Sequence, residues 1–183
     1  MPASAHAIAS ALRERVPGLT VKKLHKLLYY CQGHHLATFG RPLFKETISA
    51  WDMGPVVGTL WYEEKSGDIA EGDLPPLGEA ELNTIGYVAS RYGALSGQDL
   101  EHLTHSEAPW QRADAERRPR ESVRIEPAWI EEYFAAAAED DDDDLVLDSN
   151  EVTKWLKLAK QHLEDPVRPD DLDELRSKLV ARG

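Results

Sequence analysis

A chain of 183 residues is long enough for one ordinary domain with an extension and too short for two full domains. With 42% apolar and 30% charged residues it can bury a core, which excludes wholesale disorder. Its net charge of −12 argues against a general nucleic-acid binder, because phosphate affinity comes mostly from cationic side chains. A single cysteine, Cys31, excludes an internal disulfide and a four-cysteine metal site, and it fits a reducing compartment.

The charge is unevenly spread. Residues 1–45 hold seven Lys/Arg against one acid, residues 46–138 hold 7 against 18, and residues 139–183 hold 7 against 14. The acidic remainder suits a basic partner, whereas the basic first third keeps open a nucleic-acid-binding or phage-associated regulator as the alternative. The Ala-rich start, Met1 to Leu12, has no basic leader. The longest uncharged stretch, Leu27 to Gly40, falls short of the ~20 apolar residues of a membrane span. A soluble, cytoplasmic protein is expected.

In chain order, Ala5 to Val16 reads as a helix with Ile8, Ala11 and Leu12 on one face, ended by Pro17-Gly18. Thr20 caps a second helix whose stripe is Val21, Leu24, Leu28, Cys31 and His35, with Leu27 beside it and Gly40 as the stop. Glu46 to Met53 is a short strand or an extended loop. Gly54-Pro55 is expected to open a third helix with Val56, Val57, Leu60 and Trp61 on its buried side, since proline at the first helical position loses no bond. Residues 68–78 read as a surface loop.

Glu79 to Tyr92 is helical, with Leu82, Ile85, Val88, Ala89 and Tyr92 inward. Ser96 and Asp99 have capping spacing for a short helix bearing Leu100 and Leu103. A basic loop with Arg112, Arg117, Arg118 and Arg120 follows, and Pro127 opens a helix carrying Trp129, Ile130, Tyr133 and Phe134. The acidic run Glu139 to Asp144 reads as an extended, hydrated linker. The expected layout is therefore a helical domain over 1–138, an acidic linker over 139–147 and an amphipathic helical extension over 148–183 that includes Trp155. The fold class is mainly α, with at most a short β element.

Catalytic chemistry is hard to assemble from these residues. Cys31 lies on the apolar stripe, the place of a core cysteine rather than an activated thiolate beside His34 or His35. His102 and His105 are one turn apart without the further ligands that a metal site needs. No phosphate-binding glycine loop or nucleophile elbow is present. No catalytic residue, metal or cofactor is expected. Lys22, Lys23 and Lys26 form a basic helix face, either solvated or a docking face for a partner.

Four segments, taken in order, go beyond generic helix patterns. They are Lys23-Leu24-His25-Lys26-Leu27-Leu28-Tyr29-Tyr30, then Pro42-Leu43-Phe44, then Ala50-Trp51-Asp52-Met53-Gly54-Pro55-Val56, and finally His105 with Pro109-Trp110. The chain resembles the Panacea domain family of SocA-like antitoxins and phage-associated GepA-like proteins. His25 stands where the family pattern has Gln, and residues 139–183 lie outside the pattern.

The resemblance implies a helical fold and an antitoxin that holds a toxin encoded nearby. It further implies phage defence as a setting and leaves an AAA+ protease as a further partner and a homo-oligomer as a further state. The motif residues Leu24, Leu27, Leu28, Tyr29, Tyr30, Trp51, Gly54, Pro55, His105, Pro109 and Trp110 are expected to specify the fold. Lys22, Lys23, Lys26, Trp51, Trp110 and Trp155 are the candidate partner contacts, the tryptophans serving as anchors for a core or an interface.

Overall fold

The computed structural model describes residues 2–66 and 74–144, with side chains through residue 139. The chain divides into two units, Met1–Asp140 and Asp141–Gly183; the elements below belong to the first, apart from the last turn of the final helix. Among the described residues the order is α1 (Ala5–Arg15), α2 (Val21–Phe39), β1 (Ile48–Trp51), β2 (Gly54–Val57), α3 (Gly58–Ser66), α4 (Glu79–Tyr92), α5 (Gly97–His105), α6 (Ala108–Glu116), β3 (Val123–Arg124) and α7 (Pro127–Asp144). The fold is mainly helical, with one small antiparallel sheet in the order β2-β1-β3.

Helix α2 is the post around which the rest is arranged. Thr20 caps it by accepting from the Lys23 N–H, and Gly40 ends it in the left-handed conformation at φ 61°. Burial wraps its whole circumference from Leu24 to Gly33, well beyond the single expected stripe, while Val21 at its start is exposed. Each fully buried leucine here (Leu24, Leu27, Leu28) contributes roughly 1.5–3 kcal/mol. The buried polar residues of α2 act as latches. Gln32 accepts from the Leu43 and Phe44 N–H groups and donates to the Phe44 carbonyl, fixing the Pro42-Leu43-Phe44 loop, and His35 bonds Thr84 of α4 at 2.9 Å.

Several expectations are corrected. Gly54-Pro55 does not open a helix: residues 54–57 form β2, paired with β1 in the register Trp51↔Gly54 and Ala50↔Pro55, and the helix starts at Gly58. The supposed basic loop contains α6 and β3. Leu82 and Leu103, expected inside, are partly exposed. The acidic run continues α7 to Asp144 instead of forming an extended linker. Like charges one turn apart cost only a few tenths of a kcal/mol per pair, too little to stop a helix already nucleated. The segments expected beyond 144, with Trp155, and most of the loop 68–78 lie outside the described residues.

Helix α7 reaches the core through Ile130 and Phe134. The Phe134 ring packs against the Cα of Gly33, in the space a β-carbon would fill, and Tyr29, Tyr30, His34 and Tyr133 surround that ring. Gly33→Ala should therefore destabilise by about 1–3 kcal/mol from overpacking, despite the roughly 1 kcal/mol that alanine gains in helix propensity. Urea unfolding checks this; a raised midpoint would show that the ring can move aside.

Candidate functional site

The motif residues meet along the outer edge of the hairpin. A two-residue turn, Asp52-Met53, joins β1 to β2, and Gly54 follows it at φ 99°. Pro55 sits on an edge strand, where its missing N–H removes no ladder bond. The unpaired edge of β2 is closed by two side chains of α2: Lys26 Nζ donates to the Pro55 carbonyl at 3.0 Å, and the Val57 N–H donates to His25 Nδ1 at 3.2 Å. One donor and one acceptor thus take the place of a neighbouring strand. The Lys23–Tyr30 and Ala50–Val56 segments are thereby joined, and His25 supplies the acceptor that a Gln carbonyl could also supply.

Burial dominates the electrostatics of this latch. Lys26 is fully buried, and desolvation lowers its ammonium to about 7, with Glu101 opposing the shift and Lys22 adding to it. His25 is likewise lowered, to about 3, first by desolvation and then by Lys26. Its neutral ring is the form that accepts from Val57. The basic face expected from Lys22, Lys23 and Lys26 is therefore corrected. Lys26 faces the hairpin, Lys22 pairs with Glu101, and Lys23 Nζ donates to the Gly93 carbonyl at 2.6 Å.

A second buried cluster lies beside the first. The Tyr30 hydroxyl donates to Glu107 Oε1 at 2.7 Å, and the Tyr30 ring stacks on Tyr92 with centroids 4.1 Å apart. Glu107 precedes α6 and is 4% exposed; desolvation raises its carboxyl to about 7, while the tyrosine hydroxyls pull it back down. Glu107 Oε2 and the Tyr29 hydroxyl lack well-formed hydrogen bonds, although Tyr29 interacts with the same carboxylate. A proton on Oε2 would let the carboxylic acid donate to Tyr29 while Oε1 accepts from Tyr30, which satisfies both orphans at once.

The two motif tryptophans part company. Trp110 is 9% exposed, donates to the Trp51 carbonyl at 3.3 Å and stacks on His105 at 3.9 Å, so it belongs to the core. Pro109 before it is also buried. Trp51 is only half-buried. Its Nε1 donates to Ser122 Oγ at 2.9 Å, and its ring meets Trp61 and Tyr62 at 5.8 and 5.9 Å between centroids. Trp51, Met53 and Tyr62, together with Asp52, Arg117, Arg120, Glu121 and Ser122, line an open cleft of about 180 Å³. Sequence reasoning missed this cleft. Its only local signal was the arginine-rich run after Arg112.

The remaining candidates take structural positions. Cys31 is fully buried, burial pushes its thiol well above the usual range, and His35 bonds Thr84 rather than the sulfur. His102 is exposed, and desolvation lowers the His105 imidazolium. Among the described residues, no three His, Cys, Asp or Glu side chains converge to hold a metal ion.

These features define a small helical domain whose polar motif residues brace a hairpin and whose aromatic rings come to the surface beside it. Residues 24–111 match the family described as antitoxin SocA-like, Panacea domain. No curated protein and no solved structure matches the chain. No helix among the described residues is long and apolar enough to cross a membrane.

Proposed function

We propose that the protein is an antitoxin that neutralises a toxin encoded nearby by holding it in a direct protein–protein complex in the cytoplasm. The match of residues 24–111 to the SocA-like antitoxin family carries this reading. The geometry supports it, because Lys26, His25, Tyr30 and Glu107 all serve the fold and leave no activated nucleophile among them. The nucleic-acid alternative loses most of its cations. Of the basic residues in 1–45, Arg13 pairs with Glu64, Lys22 with Glu101 and Arg41 with Glu81, while Lys23 and Lys26 bind backbone carbonyls.

Expression of the neighbouring gene from an inducible promoter should arrest growth, and co-expression of this protein should restore it. Cys31→Ala, His102→Ala and His105→Ala should each keep the rescue wherever the variant stays folded. Loss of rescue in a folded variant would place a functional group at that residue. Delivery of the toxin to an AAA+ protease is the second mechanism within this reading, with residues 139–183 as the handle. It predicts that the toxin disappears on co-expression, whereas simple holding leaves its level unchanged.

A further inference from the structure

We infer that the cleft between the β1–β2 hairpin and the Arg117–Ser122 loop is the surface that receives the toxin, and that it takes a toxin loop carrying a carboxylate beside an apolar or aromatic side chain. This rests on the antitoxin reading above. Aromatic rings, methionine and arginine are the residues that concentrate where protein interfaces derive most of their energy. Here they come together: Tyr62 is 65% exposed, Trp51 and Met53 are half-buried beside it, and arginines border the opening.

The charges specify the guest. Arg112, Arg117 and Arg124 are already paired within the chain, Arg112 with Glu132 at 3.0 Å, Arg117 with Asp52 and Asp114, and Arg124 with Glu126 at 3.5 Å. Arg118 and Arg120 are exposed and have no ion-pair partner among the described residues. Of these, Arg120 lines the cleft. The two acids in the lining are engaged, Asp52 by Arg117 and Glu121 Oε2 by the Arg118 N–H, so the Arg120 guanidinium is left to meet a carboxylate through two parallel hydrogen bonds.

The surface is also held ready. Arg117 ties its loop to Asp52 of the hairpin turn at 2.5 Å and to Asp114 of α6 at 2.6 Å, and Trp51 ties the same loop through Ser122. Arg120 is fixed at φ 67°, a left-handed conformation uncommon for a non-glycine residue. A pre-ordered surface loses little conformational freedom on binding. Among the described residues, the exposed aromatic rings Phe39 and Tyr87 lack this combination. Beside Phe39 and Tyr87, Arg41 is bound to Glu81 at 3.0 Å and Arg91 to the Tyr87 hydroxyl at 2.9 Å.

The test measures affinity for the purified toxin, itself carrying an inactivating substitution. Tyr62→Ser and the double variant Arg118→Glu/Arg120→Glu should each bind at least tenfold more weakly than wild type with unchanged melting. Added salt should slow association of wild type more than of the double variant. Arg120→Gly removes the charge and relieves the backbone, so it replaces the double variant if that one melts early; it too should weaken binding. Tyr87→Ser, outside the cleft, should bind normally. Wild-type affinity in the cleft variants, or weakened binding only in Tyr87→Ser, overturns the assignment while leaving the antitoxin reading intact. Self-association of the protein alone that the double variant abolishes also overturns it, because the guest is then a second copy. A wild-type chain that fails to bind the toxin overturns the antitoxin reading itself.

Discussion

Gly54→Ala is expected to remove roughly 2–6 kcal/mol of stability, a large share of the 5–15 kcal/mol typical of a domain. Two costs add. At φ 99° a β-carbon forces a conformation that L-residues rarely adopt, worth about 1–3 kcal/mol. The same carbon would stand 2.8 Å from Lys26 Cε and 3.0 Å from both Lys26 Nζ and Thr104 Oγ1, and overpacking of this kind costs about 1–3 kcal/mol more. Lys26 cannot retreat without releasing the Pro55 carbonyl, so the hairpin edge and the packing of α5 fail together. Thermal melting of the purified variant checks this. Pairing it with Lys26→Ala should recover part of the steric loss, and a single variant that melts like wild type would show that the latch is loose.

The second large effect is a pH dependence centred on Glu107. Its folded carboxyl is raised to about 7 against 4.5 in the unfolded chain, so between those values the folded state holds a proton that the unfolded state has lost. The stabilisation is complete below pH 4.5, declines as pH rises and is gone above about 7, a change of about 3 kcal/mol. Two other buried groups titrate with the opposite sign. His25, lowered to about 3, makes stability rise with pH up to 6.5, and Lys26, lowered to about 7, makes it rise from there to 10.5. Wild type alone therefore blends the three. Glu107→Gln isolates one of them, since its amide can donate to Tyr29 and accept from Tyr30 without a charge. The variant should gain on wild type from pH 5 to about pH 7 and level off by pH 8. A difference in melting temperature that is constant across that range would contradict a buried, protonated Glu107.

Most helices were legible because their ends are written locally. Thr20 and Gly40 bracket α2, Ser96 and Asp99 form the capping box of α5, and Pro127 begins α7. The apolar stripe placed Cys31 in the core for the same reason. What escaped depends on neighbours distant in the chain. Lys26 has the local context of a surface lysine, and only the Pro55 carbonyl, 29 residues away, makes its burial tolerable. Proline after glycine is an ordinary helix opening, so the strand Gly54–Val57 shows itself only through its pairing with β1. Gly33 carries no signal except an empty side chain, and Phe134 fills that space from about a hundred residues onward in the chain. The candidate interface was half legible. Trp51 stood out within its motif, but nothing local joins it to Arg118 and Arg120.

The central claim, that the protein acts by holding its toxin and not by turning anything over, is tested most directly by titration. Toxin activity would be measured at fixed toxin concentration against increasing amounts of this protein. Holding predicts that activity falls in proportion to the protein added, reaches zero at a fixed molar ratio and does not change with longer incubation. If amounts far below equimolar abolish activity progressively with time, the protein is acting catalytically on the toxin or its product, and the account is wrong.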